Sequence, residues 1–133
     1  MDEKQQELFL KLSMFEQQAQ QLNNQLQAVE NGLAELKSLN LGLDDLKNSE
    51  GKEVLSPVGR GIFIKSKIIS EELIVDIGGK NLVKKNVSET QILLEEQISK
   101  LDRIKADLNE NIEEISKEIE KTISESGGLV ENI

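Results

Sequence analysis

The chain has no cysteine, no histidine, no tyrosine and no tryptophan. Without thiolates or imidazoles it has no zinc site of the usual kind, no cysteine nucleophile, and no catalytic triad or dyad that runs through an imidazole base. Most enzyme mechanisms fall with those side chains, so no catalytic residue, metal or cofactor is expected. No disulfide can hold the fold together, which suits a reducing compartment. Aromatic residues are scarce, with three phenylalanines in 133 residues, and only 37% of the chain is hydrophobic. No run of about 18 apolar residues occurs and no basic, apolar leader opens the sequence, so the expectation is a soluble, cytoplasmic protein with no membrane partner.

Charge, by contrast, is plentiful and uneven. There are 25 Asp and Glu against 16 Lys and Arg, for a formal charge of -9. Residues 1–50 hold nine acids and four bases, residues 51–86 four and seven, and residues 87–126 eleven and five. Two acidic arms therefore flank a mildly basic middle. Acidic arms repel phosphate backbones, which argues against nucleic acid as a partner.

In the first arm Leu8, Leu12, Phe15, Ala19, Leu22, Leu26, Val29, Leu33 and Leu36 recur at gaps alternating between four and three. A period of 3.5 keeps one narrow stripe facing a partner helix, and the Gln, Asn, Glu and Lys between leave the rest wet. In the second arm Ser88 and Gln91 read as a capping box, with Val87 and Ile92 as a hydrophobic staple around it. Its seam follows as Leu94, Ile98, Leu101, Lys105, Leu108, Ile112, Ile115, Ile119 and Thr122, and Gly127 with Gly128 supplies the stop.

An antiparallel hairpin requires opposed residue numbers to keep a nearly constant sum. Leu36 with Leu94, Val29 with Leu101, Leu22 with Leu108, Phe15 with Ile115 and Leu8 with Thr122 satisfy this. So do the intervening layers, Leu33 with Ile98, Leu26 with Lys105, Ala19 with Ile112 and Leu12 with Ile119. Equal arm length favours pairing within one chain. Lys105 is read as a snorkelling lysine, its stem on Leu26 and its ammonium toward Asp102 or solvent. The alternative is a polar device that fixes register.

Residues 54–58, 62–69, 73–77 and 82–87 are rich in Ile and Val and punctuated by Pro57, Gly59, Gly61 and Gly78-Gly79, which predicts short strands in two hairpins. The fold class is α+β, mainly α. One domain over 1–133 is expected, with a first coiled-coil helix over 1–47, a hairpin assembly region over 48–87, a second helix over 88–126 and a flexible tail over 127–133. The arms spend their apolar stripes on each other and cannot cover the hairpins. Exposed edges and apolar faces then invite other chains, and the expected oligomer interface is Val54, Leu55, Ile62, Phe63, Ile64, Ile68, Leu73, Val75, Ile77, Leu82 and Val83.

Other clusters have bland readings. Glu95 with Glu96, and Glu110, Glu113 and Glu114, have oxygens suited to a hard cation or to acid and base work, but they fall on the wet side of a helix with nothing to desolvate them. Gly78-Gly79 has no Walker pattern around it and reads as a turn, Gly59-Arg60-Gly61 is no better an anion site, and Asn86-Val87-Ser88 matches a glycosylation sequon but reads as part of the helix cap. More informative are the free ends of the arms. Leu8 and Leu12 stand where the seam runs out, Phe9 and Leu10 fall off it, Ile123 ends the second arm, and Leu129 and Val130 lie beyond the glycines. As a group these seven residues predict an adaptable apolar contact site for client proteins.

Two long paired helices joined by small hairpins resemble prefoldin subunits of the alpha type. The stretch Val54-Leu55-Ser56-Pro57-Val58-Gly59-Arg60-Gly61-Ile62-Phe63-Ile64-Lys65 is similar to that family's strand and turn signature, as is Leu73-Ile74-Val75-Asp76-Ile77-Gly78-Gly79-Lys80-Asn81-Leu82-Val83-Lys84-Lys85. Two hairpins instead of one point to the alpha type, and the compact termini resemble archaeal members. The sequence departs from the pattern at Val58, where a larger residue often stands, and at Lys84, where an acid is usual. The resemblance implies a hexamer of two alpha and four beta-type subunits, whose hairpins join into a β-barrel platform. It also implies a holdase that works without ATP, grips unfolded proteins between coiled-coil tips and passes them to a group II chaperonin. The competing class is a structural coiled-coil adaptor, or a filament-forming prefoldin-like subunit without client transfer.

Overall fold

The computed structural model describes residues 2–125, and the first helix begins where the sequence supplies a cap. The Asp2 carboxylate accepts the N–H of Gln5 at 2.8 Å, and the Gln5 side chain accepts the N–H of Asp2 at 3.3 Å, so two N-terminal donors are satisfied reciprocally. Helix α1 then runs Glu3–Asp44. It passes through Gly42, which faces open space, because Leu43 beside it is buried. The helix ends at Asp44 and not at residue 47. There the N–H groups of Asp45, Leu46 and Lys47 turn back to the carbonyls of Gly42, Leu43 and Asp44, and Asn48 takes a left-handed φ of 59°. Leu46 continues the apolar pattern because it packs, although it is no longer helical.

Helix α2 spans Val87–Glu125. Its cap is Asn86 and not Ser88. The Asn86 side-chain oxygen accepts the Glu89 N–H at 2.7 Å, and its carbonyl accepts both the N–H and the hydroxyl of Thr90. This start places Val87 in the first turn, 4% exposed, while Ile92 points outward, so the expected staple between them does not form. Asn86→Ala is expected to cost about 1 kcal/mol, with Asn86→Ser recovering most of it, whereas Ser88→Ala should stay within ~0.5 kcal/mol. Urea unfolding of the three variants checks this; a larger loss at Ser88 would return the cap to the later position.

Between the helices lie β1 (Glu53–Gly59), β2 (Ile62–Lys67), β3 (Leu73–Asp76) and β4 (Leu82–Lys85). They form two separate antiparallel pairs, β1 with β2 and β3 with β4. In the first, Val54 opposes Ser66 and Pro57 opposes Phe63, and the register then slips at Val58 before Gly59 meets Ile62. Its turn holds Arg60 and Gly61 at φ 46° and 77°, the two left-handed residues that a tight primed turn requires. In the second, Leu73 opposes Lys85 and Val75 opposes Val83. Its turn is stabilised by the Asp76 carboxylate, which accepts the Gly78 N–H at 2.8 Å.

The chain divides into two compact units, one of Met1–Leu33 with Lys100–Ile133 and one of Ala34–Ser99. In the first unit every expected seam position from Leu8 to Val29 on α1, and from Leu101 to Thr122 on α2, is partly or fully buried, with Leu33 and Leu108 tightest among the leucines. A Cβ on Gly32 would lie 3.5 Å from Leu101 Cδ1, so the two helices approach closely at this level. Lys105 reaches across the seam to Glu30 at 3.9 Å instead of toward Asp102. In the second unit Leu43, Val87 and Leu94 form a buried cluster, with Leu36, Leu46 and Leu73 packed around it. There the Gln91 amide donates to the Asn40 carbonyl at 3.1 Å and to the Asp44 carboxylate at 2.8 Å.

Candidate functional site

The strand residues divide by alternation into faces. On the first hairpin, Val54, Ser56, Ile62, Ile64 and Ser66 share one face, and Leu55, Pro57, Phe63 and Lys65 share the other. Only Ser56 and Ser66 among them are partly covered; Leu55 is 65% exposed and Phe63 56%. The second hairpin is different. Leu73, Val75 and Val83 lie on a partly buried face, and Leu73 packs against Leu43, Val87 and Leu94 within the chain. The expectation that the hairpins lack any cover in cis is corrected here. Ile74 and Leu82 lie on the outward face and Ile77 stands exposed at the turn, while Ile68 after β2 is partly buried. Sequence reasoning missed three exposed apolar residues of the same region, Val58, Ile69 and Ile74. Ile74 was readable by alternation with Leu73 and Val75.

How the hairpins are held is equally specific. The backbone N–H of Asn48 is donated to the Glu71 carboxylate, joining the segment before β3 to the turn after α1. Ser49, 1% exposed, donates its hydroxyl to the Leu46 carbonyl. Lys52 and Ile68 extend the first ladder, with Ile68 N–H on the Lys52 carbonyl at 2.9 Å and Gly51 N–H on the Ile68 carbonyl at 2.6 Å. A polar cleft of about 450 Å³ beside this region is walled by Glu50, Glu71, Glu72, Glu89, Lys84 and Lys85, with Lys84 paired to Glu72 at 3.8 Å. The Gln91 amide, with Lys47 beside it, holds the Asp44 carboxyl below the usual carboxylate range. Among the described residues no group of three or more acids is placed to hold a metal ion, and no helix is long and apolar enough to cross a membrane.

At the free ends of the helices Leu8 and Leu12 are partly buried in the seam, while Phe9 is 48% exposed, Leu10 67% and Ile123 45%. Thr122, 3% exposed, closes the last layers with its hydroxyl on the Glu118 carbonyl. Leu129 and Val130 lie outside the described residues, as does the rest of the expected tail. Sequence reasoning also missed Met14, an exposed residue one turn on from Leu10. The spacing of four places it on the same face of α1.

A paired-helix chain that carries two hairpins, with apolar residues exposed both on the hairpins and near the helix ends, has the build of a subunit that assembles with other chains. Comparison with known proteins makes the class specific. The prefoldin subunit family model matches residues 15–126. The chain is 30% identical over 122 residues to the prefoldin subunit alpha of Methanococcus aeolicus, covering 91% of this chain and 83% of that one. It is 34% identical over 117 residues to the prefoldin subunit alpha of Thermofilum pendens, covering 84% and 90%. Among solved structures it is similar to a filamentous PFD from Methanocaldococcus jannaschii seen by cryo-electron microscopy, with a TM-score of 0.74 and 26% identity over 85% of this chain and 95% of that chain. The chain belongs to the prefoldin family, as a subunit of the alpha type. Members of that family are chaperone subunits that form complexes with other prefoldin subunits.

Proposed function

We propose that the chain is the alpha-type subunit of a cytoplasmic hexamer with four beta-type partners. In this reading the complex holds unfolded proteins at its helix ends without nucleotide and releases them to a group II chaperonin. The observation that carries the holdase reading is the exposure of Phe9 and Leu10 beside the last seam layers, in a chain whose seam residues are spent on pairing. Several weak apolar contacts of this kind, one set per subunit, gain strength together without any new chemistry. The acidic arms keep a bound, aggregation-prone client in solution. Platform assembly in this reading uses the exposed residues of the first hairpin and the outward face of the second.

The test is Phe9→Ser with Leu10→Ser in the reconstituted complex. Suppression of aggregation of an unfolded client is expected to fall by about tenfold, while native mass and melting temperature stay near those of the parent, because neither side chain belongs to the seam. Unchanged suppression would remove the tip from client binding. A second reading, a filament-forming subunit without client transfer, is favoured by the likeness to a filamentous PFD. Native mass of the chain alone separates the two, since a filament grows without a beta-type partner and a hexamer requires one.

A further inference from the structure

Residues 17–29 of α1 carry no charge, although 31% of the chain is Asp, Glu, Lys or Arg and no other uncharged run exceeds six residues. Eight of the residues in this stretch are Gln or Asn. The exposed side of a helix is ordinarily charged, so a neutral belt over three turns long is a surface of distinct chemistry. One side of it faces a groove of about 300 Å³ within the unit of Met1–Leu33 and Lys100–Ile133. Gln18, Gln21 and Gln25 line the groove from α1, Asn111 and Glu114 line it from α2, and Leu22 and Ile115, partly buried, form its floor. Two neighbouring amides are spent inside α1, Gln20 donating to Asn24 at 3.4 Å and Asn23 to the Ala19 carbonyl at 3.0 Å. Gln18, Gln21, Gln25 and Asn111 make no hydrogen bond among the described residues.

We infer that this groove binds an extended segment of polypeptide through its main chain. A primary amide both donates and accepts, as each peptide unit does, so the match does not depend on the sequence of the segment. From Gln18 to Gln25 α1 rises about 10 Å at ~1.5 Å per residue, room for about three residues of extended chain at ~3.3 Å each. The floor of Leu22 and Ile115 takes an apolar side chain. Glu114, the one charge on the walls, accepts a peptide N–H and turns away acidic segments. A second copy of this chain fits less well, because it brings the eleven acids of residues 87–126 against their own kind. The inference rests on the holdase reading for the source of the segment, and adds a sequence-tolerant contact on the arm to the apolar one at its end.

A capped, uncharged peptide of about ten alternating Ser and Val residues is the probe. In the full chain the side-chain amide resonances of Gln18, Gln21, Gln25 and Asn111 are expected to shift on titration, while that of Gln27, outside the groove, stays. Gln18→Glu with Gln25→Glu should weaken binding by about fivefold or more and leave the melting temperature near that of the parent, since both side chains are exposed. The same peptide with Glu in place of Ser should fail to compete. No shift up to millimolar peptide, or equal affinity for the acidic peptide, overturns the assignment. Shifts that follow protein concentration without peptide overturn it as well and give the face to a second copy. Suppression of client aggregation by the reconstituted complex separates the groove from the tip. A loss with Gln18→Glu and Gln25→Glu but not with Phe9→Ser and Leu10→Ser keeps the groove and rejects the tip; the reverse loss, with no peptide shift, rejects the groove and keeps the tip.

Discussion

Ile64→Asp should take the assembled protein apart while leaving its helices intact. Ile64 is 59% exposed in the isolated chain, on the first-hairpin face that also carries Val54 and Ile62. It makes no part of the buried cluster of Leu43, Val87 and Leu94, so a carboxylate there costs the single chain almost nothing. Buried against a partner strand, the same carboxylate loses its water without gaining a cation, a penalty of several kcal/mol at each such contact. Native mass in the presence of a beta-type subunit is expected to shift from complex to free chains, with far-ultraviolet circular dichroism unchanged. Val75→Asp is the less clean test, because Val75 lies on the hairpin face already partly buried in cis. If Ile64→Asp assembled fully, the first hairpin would not be the contact.

Leu94→Ala should destabilise the chain by about 2 to 4 kcal/mol, the largest effect expected of a single truncation here. Leu94 is 8% exposed and meets Leu43 and Val87, with Leu36, Leu46 and Leu73 closing around them. The cavity would therefore be shared by both helices, the turn after α1 and the second hairpin. Leu41→Ala, at a residue 71% exposed one position from Gly42, should stay within ~0.5 kcal/mol. Urea midpoints of the two variants against the parent check the contrast. Equal effects would mean that the cluster is not the core of its unit.

The seam was legible because a stripe repeating every 3.5 residues has few structural explanations, and every layer from Leu8 to Leu36 had a counterpart from Leu94 to Thr122. The hairpins were legible from Gly61 and Gly78-Gly79, where the chain needs left-handed residues. The start of α2 was not, because Asn86 with Glu89 and Ser88 with Gln91 both satisfy the same capping pattern. What decides between them is the burial of Val87, a tertiary fact. Leu73 was misjudged for a related reason: alternation in a four-residue strand says which residues share a face and is silent on which face is covered. Lys105 found Glu30 because neighbours across a seam depend on helix rotation as well as on level. Met14 escaped because an isolated apolar residue in a sequence carries no sign of its exposure, whereas Ile74 could have been found from its alternation with Leu73 and Val75.

The antiparallel register has a kinetic corollary. Residues that meet in the unit of Ala34–Ser99, such as Leu43 and Val87, are separated by a modest length of chain, whereas Leu8 and Thr122 stand almost a full chain length apart. Closing the shorter loop first makes each successive layer a local addition, so the entropy of bringing distant segments together is met only once. Folding should then proceed like a zipper from the hairpins outward, with Leu94 in the nucleus and the layer of Leu8 closing last. By the same order, brief opening under native conditions starts from the free ends. Amide exchange along α1 is expected to slow steadily from Leu8 toward Leu43, leaving the cluster of Leu43, Val87 and Leu94 closed while the free ends breathe.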